Sequence, residues 1–221
     1  MAADLFESLA IDMPPIGPGE EALAPGALLL RGFAAPVARE LLADLRLVVD
    51  RAPFRRMITP GGLRMSVAMT NCGELGWVSD RRGYRYDPAD PDSGLRWPPM
   101  PATFAGLARR AAEHAGFAGF EPDACLVNRY APGARLSLHQ DRDERDFGWP
   151  IVSVSLGLPA IFQFGGARRS DKARRVPLQH GDVVVWGGPA RLNHHGVLAL
   201  AAGEHPLTGR SRLNLTFRKA G

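Results

Sequence analysis

Arg212-Leu213-Asn214-Leu215-Thr216-Phe217-Arg218, close to the C-terminus, alternates polar and apolar side chains without a break. A two-residue period marks a β-strand, whose successive side chains point to opposite faces. Arg212, Asn214, Thr216 and Arg218 therefore share one face, and Leu213, Leu215 and Phe217 the other. In a half-buried strand the apolar set packs between sheets and the polar set faces solvent. In a strand that lines a barrel, the polar set lines a cavity. Arginines there would suit a dicarboxylic acid, because a guanidinium grips a carboxylate bidentately. Arg212 and Arg218 lie about 20 Å apart along an extended chain, which assigns one of them to the acid and the other to a different task.

Seven further strand candidates precede this last one at 211–218: 124–130, 134–140, 150–157, 160–164, 174–178, 182–186 and 195–200, separated by Gly and Pro turns. Eight short strands in this rhythm predict a two-sheet jelly roll or a related barrel. Upstream, Leu28-Leu29-Leu30 is a short strand candidate. Pro36 opens a helix running to about Val49, and a second helix from Pro101 to Ala115 ends at Gly116, each with apolar residues at helical spacing. The chain is thus mostly β with flanking helices, an α+β class. Residues 1–26, rich in Pro, Gly and Glu, read as a loosely ordered arm before a single domain over 27–221. Residues 54–99 read as irregular, and so long an irregular segment inside one domain points to function.

Within the strand region stands Leu138-His139-Gln140-Asp141, and 54 residues beyond Asp141 come His194-His195. Side chains at 139 and 141 share a face of a strand, so both reach one metal. Two imidazoles and one carboxylate form the facial triad of non-haem iron(II) oxygenases, which leaves the opposite face open to O₂ and a co-substrate. Adjacent strand residues point oppositely, so only one of His194 and His195 joins the triad, and spacing does not say which. A second H-x-D, His180-Gly181-Asp182, sits at a glycine turn before Val183-Val184-Val185-Trp186 and reads as a strand entry.

The 221 residues suffice for a core without staples, and 45% hydrophobic with 23% charged residues is an ordinary soluble balance. Two cysteines, Cys72 and Cys125, lack metal-ligand spacing and read as reduced thiols. The acidic N-terminus is unlike a signal peptide, and no apolar run approaches the ~20 residues of a membrane span. These features predict a soluble, cytoplasmic chain; a monomer is the expectation alongside them, although nothing in the sequence speaks to oligomeric state. A net charge of +4, carried by arginine except at Lys172 and Lys219, permits a polyanionic partner.

Several stretches together resemble the AlkB family of Fe(II)/2-oxoglutarate-dependent repair dioxygenases. They are Met65-Ser66-Val67-Ala68-Met69-Thr70-Asn71-Cys72-Gly73, Asn128-Arg129-Tyr130-Ala131-Pro132-Gly133, Leu138-His139-Gln140-Asp141, Pro150-Ile151-Val152-Ser153-Val154-Ser155-Leu156-Gly157, Phe162-Gln163-Phe164-Gly165-Gly166 and the 212–218 strand. The resemblance covers nearly everything after the arm. It implies a double-stranded β-helix carrying an N-terminal nucleotide-recognition lid over 54–99. It implies Fe(II) on His139, Asp141 and His195, with Gly196 favouring His195 over His194. It assigns 2-oxoglutarate to Asn128, Tyr130, Arg212, Asn214 and Arg218, with Arg212 on the distal carboxylate, and the substrate to Met69, Trp77, Tyr84, Asp143 and Arg169. The implied reaction is oxidative demethylation of 1-methyladenine and 3-methylcytosine type bases in DNA, single strands preferred and RNA a second class. It consumes O₂ and 2-oxoglutarate and releases formaldehyde, succinate and CO₂.

In that setting Trp77, Tyr84 and Tyr86 become stacking faces and Arg81, Arg82 and Arg85 phosphate contacts. Asp143 and Glu144 become acceptors for a cationic base. Two competing readings use the same residues: an iron oxygenase acting on a small molecule or protein side chain, and a cupin-like metal isomerase or binding barrel.

Overall fold

Leu213, Leu215 and Phe217 pack beneath two helices, and that placement decides what the opposite face of their strand does. The computed structural model describes residue 17 and residues 19–221. Its elements in order are β1 (Gly19–Ala24), β2 (Ala27–Arg31), α1 (Ala38–Arg51), β3 (Ala68–Gly73), β4 (Gly76–Asp80), β5 (Gly83–Asp87), α2 (Ala102–His114), β6 (Ala124–Tyr130) and β7 (Leu136–His139). They continue as β8 (Ile151–Gly157), β9 (Ala160–Phe164), β10 (Arg174–Leu178), β11 (Val183–Trp186), β12 (His195–Val197) and β13 (Arg212–Arg218).

Seven strands form the larger sheet in the order β1-β2-β11-β8-β13-β6-β3, and four form the smaller in the order β10-β9-β12-β7. Every pairing is antiparallel. The two sheets form a jelly roll, and β4 with β5 makes a separate hairpin. Both faces of the larger sheet are covered. Val183, Val185, Val152 and Val154 face the helices, whereas Val184, Trp186 and Ile151 meet Phe162, Phe164, Val176 and Leu178 of the smaller sheet. Burial on both sides explains why 183–186 is an unbroken apolar run.

In α1 the buried Ala38, Leu41, Leu42, Leu45 and Val48 recur at helical spacing, and in α2 Phe104, Leu107, Ala108, Ala111 and Ala112 do the same. Phe104 meets Phe217 edge-to-face at 6.0 Å, a contact worth about 0.5–1.5 kcal/mol beyond simple burial. The helix layer thereby holds the back of β13 and turns Arg212, Asn214, Thr216 and Arg218 inward, all buried. The cavity-lining reading of this strand is correct. Its apolar set packs against helices, where a half-buried strand would have put it between the sheets.

Two departures concern the N-terminal half. Gly19–Ala24, assigned to the loose arm, is an edge strand on β2, while residues 1–16 lie outside the described residues. Residues 54–99 hold β3 at the sheet edge and the β4–β5 hairpin. Their glycines and short alternations hid these strands. The reading of 180–182 as a turn is right: Gly181 has φ +88°, and Asp182 accepts from the backbone of Gly32 and Gln179 and pairs with Arg31. Cys72 and Cys125 are free thiols, buried opposite each other on β3 and β6. Among the described residues no helix is long and apolar enough to cross a membrane.

Candidate active site

β7 and β12 are neighbours in the smaller sheet, and their register sets His139 directly opposite His195. Side chains opposite each other on antiparallel strands share a face, and the two imidazole rings lie 4.4 Å apart. Asp141 completes the group: its Oδ1 is 3.5 Å from His139 Nε2 and its Oδ2 3.7 Å from His195 Nε2. One ligand atom from each residue fits within 4.8 Å of the others, a spacing that can hold one metal ion. Asp141 lies beyond the end of β7, which stops at His139. Shared strand geometry therefore does not place it; Arg218 and Arg191 do. Arg218 Nε and Nη2 donate to Asp141 Oδ2 at 2.9 and 2.6 Å, and Arg191 Nη1 donates to the Asp141 carbonyl at 2.9 Å.

Each histidine also has its tautomer set by the backbone. His139 Nδ1 lies 2.9 Å from the Ser137 carbonyl and His195 Nδ1 3.0 Å from the Asn193 carbonyl. A carbonyl only accepts, so both Nδ1 atoms carry hydrogen and both Nε2 lone pairs point at the shared centre. Burial, reinforced by the neighbouring His139, pushes the His195 imidazole down to about 4, so it is a neutral donor. Burial also acts to lower His139, but the hydrogen bond and attraction to Asp141 carry it above its ordinary value. Burial alone would raise Asp141. Arg218, His195 and His139 overcome that and hold its carboxyl well below the usual range. A proton is thus drawn into the place a cation would take.

One cavity of about 680 Å³ runs from this triad along β13 to the surface. At its inner end Arg212 is almost fully buried, with Nη2 on Ser155 Oγ and its guanidinium 5.0 Å from the Tyr130 ring. Its Nε and Nη1 have no hydrogen-bond partner among the described residues, nor do Arg218 Nη1 and Asn128 Oδ1. A buried cation with idle donors is costly unless an anion completes it. Asn214 is fixed by donating to Ser153 Oγ and the Val154 carbonyl while Thr216 Oγ1 donates to it.

Trp77 and Tyr84, on the β4–β5 hairpin, line the outer part with Met69, Asp143 and Arg169. Their rings stack at 5.6 Å, and Trp77 Nε1 donates to Asp143 Oδ2 at 2.8 Å. All thirteen residues that the resemblance assigned to iron, 2-oxoglutarate and substrate therefore border one space. His194 borders it too, but its Nδ1 faces the Gly166 carbonyl and His195 is the triad member. Other expectations change. Tyr86 does not border this cavity, and its hydroxyl donates to buried Glu144 at 2.7 Å. Glu144 itself is paired with Arg191 and Arg218 and cannot greet a base. Arg82 and Arg85 pair with Asp80 within their own hairpin, and the Arg82 side chain stays largely exposed. Arg191, Ser153 and Ser155 escaped the sequence reading. Nothing local distinguishes them until the strands bring them beside Asp141, Asn214 and Arg212.

Residues 26–218 match the family model of the 2OG-Fe(II) oxygenase superfamily. Alpha-ketoglutarate-dependent dioxygenase AlkB from Salmonella typhimurium is 61% identical over 203 residues, covering 92% of this chain and 94% of the relative. The AlkB of Escherichia coli is 60% identical over 204 residues with the same coverage. The chain belongs to the AlkB family of 2OG-Fe(II) oxygenases. The solved structure of OsALKBH1 superposes on this AlkB-family fold with a TM-score of 0.80 at 30% identity, over 91% of this chain and all of the other. The chain is accordingly a 2-oxoglutarate-dependent dioxygenase that requires Fe(II) and O₂, and the isomerase and binding-barrel alternatives fall away.

Proposed function

We propose that this dioxygenase repairs N-alkylated bases of the 1-methyladenine and 3-methylcytosine type in DNA, single strands first and RNA second, as a cytoplasmic monomer. The observation that carries the proposal is the single cavity, with the metal-binding triad and an anion-seeking Arg212 inside and a Trp77–Tyr84 stack at its mouth. Names among its relatives support the substrate class: a DNA N(6)-methyladenine demethylase of Arabidopsis thaliana and a tRNA demethylase of Schizosaccharomyces pombe.

The residues fit the required groups. His139, Asp141 and His195 offer two imidazole nitrogens and one carboxylate, the donor set that suits ferrous iron and keeps it electrophilic, with the ion taking the place of the proton held at His139. Arg212 supplies the idle donors for the far carboxylate of 2-oxoglutarate, and Asn128, Tyr130, Asn214 and Arg218 line the space between. Iron with 2-oxoglutarate and O₂ supplies the oxidising power that hydroxylates an N-methyl group, which then leaves as formaldehyde, with succinate and CO₂ formed alongside.

The chain's own task is positioning. A base must leave its stack to enter so deep a cavity. The half-exposed Tyr84 and its partner Trp77 offer it an aromatic face. Asp143 beside them favours a base made cationic by methylation. Arg169, anchored on the Leu138 carbonyl, keeps a positive charge at the mouth for phosphate. We accordingly read residues 54–99 as a nucleotide-recognition lid. The test is succinate and formaldehyde release with methylated single-stranded DNA. Formaldehyde in proportion to succinate is expected, and succinate without formaldehyde would overturn the assignment in favour of a small-molecule or protein substrate.

A further inference from the structure

The hairpin and the metal carboxylate are joined through Tyr86, Glu144 and Arg191, none of which has a role in the function described above. Trp77 and Tyr86 sit directly opposite each other on β4 and β5. They bond to consecutive carboxylates of the loop following Asp141: Trp77 to Asp143 and Tyr86 to Glu144. Glu144 has a side chain only 1% exposed. Its Oε1 receives the Tyr86 hydroxyl and lies 3.3 Å from Arg218 Nε, while its Oε2 lies 3.0 Å from Arg191 Nη2. The latter contact is an ion pair without a well-directed hydrogen bond, since Oε2 has no partner by geometry. Arg218 and Arg191 then grip the carboxylate and the carbonyl of Asp141. Two carboxylates and two guanidinium groups leave the network neutral.

We propose that Glu144 is a positioning residue that couples the seating of the β4–β5 hairpin to the cation affinity of the His139–Asp141–His195 site. The inference rests on the metal role assigned to those three residues. Glu144 shares the two arginines with Asp141. Without its charge Asp141 is the one carboxylate left beside the two guanidinium groups, which adds net positive charge beside the place for a dication and draws electron density from the Asp141 oxygens. Tyr86 reports whether the hairpin is seated, because its hydroxyl fixes the Glu144 oxygen nearest Arg218. Coupling of this kind is reciprocal: a cation at the triad must then steady the hairpin.

The experiment uses Mn(II) as a redox-silent probe on the full chain, titrated by its paramagnetic resonance signal, with hydrogen exchange of residues 76–87 followed with and without the ion. The variants are Glu144→Gln, which keeps the shape, and Tyr86→Phe, which keeps the ring. Wild-type protein is expected to bind one Mn(II) and to slow exchange in the hairpin. Glu144→Gln should weaken Mn(II) binding by about tenfold, the lower end of what outer-shell partners of metal ligands contribute, and remove the protection. Tyr86→Phe should do both to a smaller degree. Unchanged affinity together with unchanged protection in two folded variants overturns the coupling alone. Failure of the wild-type chain to bind Mn(II) overturns the metal site itself.

Discussion

Replacing Arg212 by methionine separates the cost of a buried cation from its use. The side chain is 1% exposed, holds one hydrogen bond to Ser155 and carries two donors without partners. Burial lowers its affinity for a proton despite the nearby Tyr130. In the protein free of co-substrate this guanidinium is a liability, and methionine fills much of the same stem volume. Stability of the free protein should therefore hold or rise when Arg212 is replaced. Binding of 2-oxoglutarate should move the other way. Losing one partner of a buried, hydrogen-bonded charge pair costs about 3–4 kcal/mol, which is roughly 10²- to 10³-fold in affinity. Succinate formation against 2-oxoglutarate concentration measures the second effect. Thermal unfolding with and without 2-oxoglutarate measures both, since a bound ligand stabilises the fold by RT ln(1 + [L]/Kd) and raises the midpoint accordingly. The expected outcome is an Arg212→Met protein that melts no lower than wild type, yet gains no protection from concentrations of 2-oxoglutarate that protect wild type. A variant with an unchanged 2-oxoglutarate requirement would refute the assignment of the idle donors to that carboxylate.

Other outcomes follow from the same geometry. His139→Ala should abolish turnover even in iron-replete buffer, and wild-type rates there would remove it from the triad. His195→Ala should lose metal binding while His194→Ala retains it in anaerobic Fe(II) titrations; the reverse pattern would exchange the two histidines. Trp77→Ala should weaken binding of methylated oligonucleotide by about 1–3 kcal/mol while succinate formation without DNA persists, and equal loss of both would mean that the ring serves the iron site. Phe104→Ala should destabilise the fold by about 3–5 kcal/mol in urea titrations, because it empties the contact that backs β13; a loss under 1 kcal/mol would show that this edge-to-face pair does not hold the strand.

Local pattern made some features readable and hid others. Alternation at 212–218 and the apolar run at 183–186 carry their strand character in the side chains themselves, and the helical spacing of Leu41, Leu42, Leu45 and Val48 does the same for α1. The strands β1 and β3 carry no such mark, and in β4 and β5 it is too short to stand out. Gly19-Glu20-Glu21-Ala22 is polar because an edge strand can face solvent. Ala68-Met69-Thr70-Asn71-Cys72-Gly73 lacks alternation because both its sides are buried. The two clearest errors, Tyr86 as a stacking face and Glu144 as an open acceptor, share a cause. Residue type states what a side chain can bond, whereas the partner that claims it arrives from another strand.

The order of residues along the chain settled the chemistry on offer: two imidazoles, an aspartate and an alternating arginine strand, all recognisable because hydrogen-bonding capacity and strand period are local properties. Only the folded chain decided that His195 lies directly opposite His139, that α1 and α2 turn the polar face of β13 inward, and that Arg212 keeps two nitrogens free while Arg218 spends its Nε and Nη2 on Asp141. Those outcomes depend on register between strands far apart in sequence, and a shift of one residue would reverse every one of them.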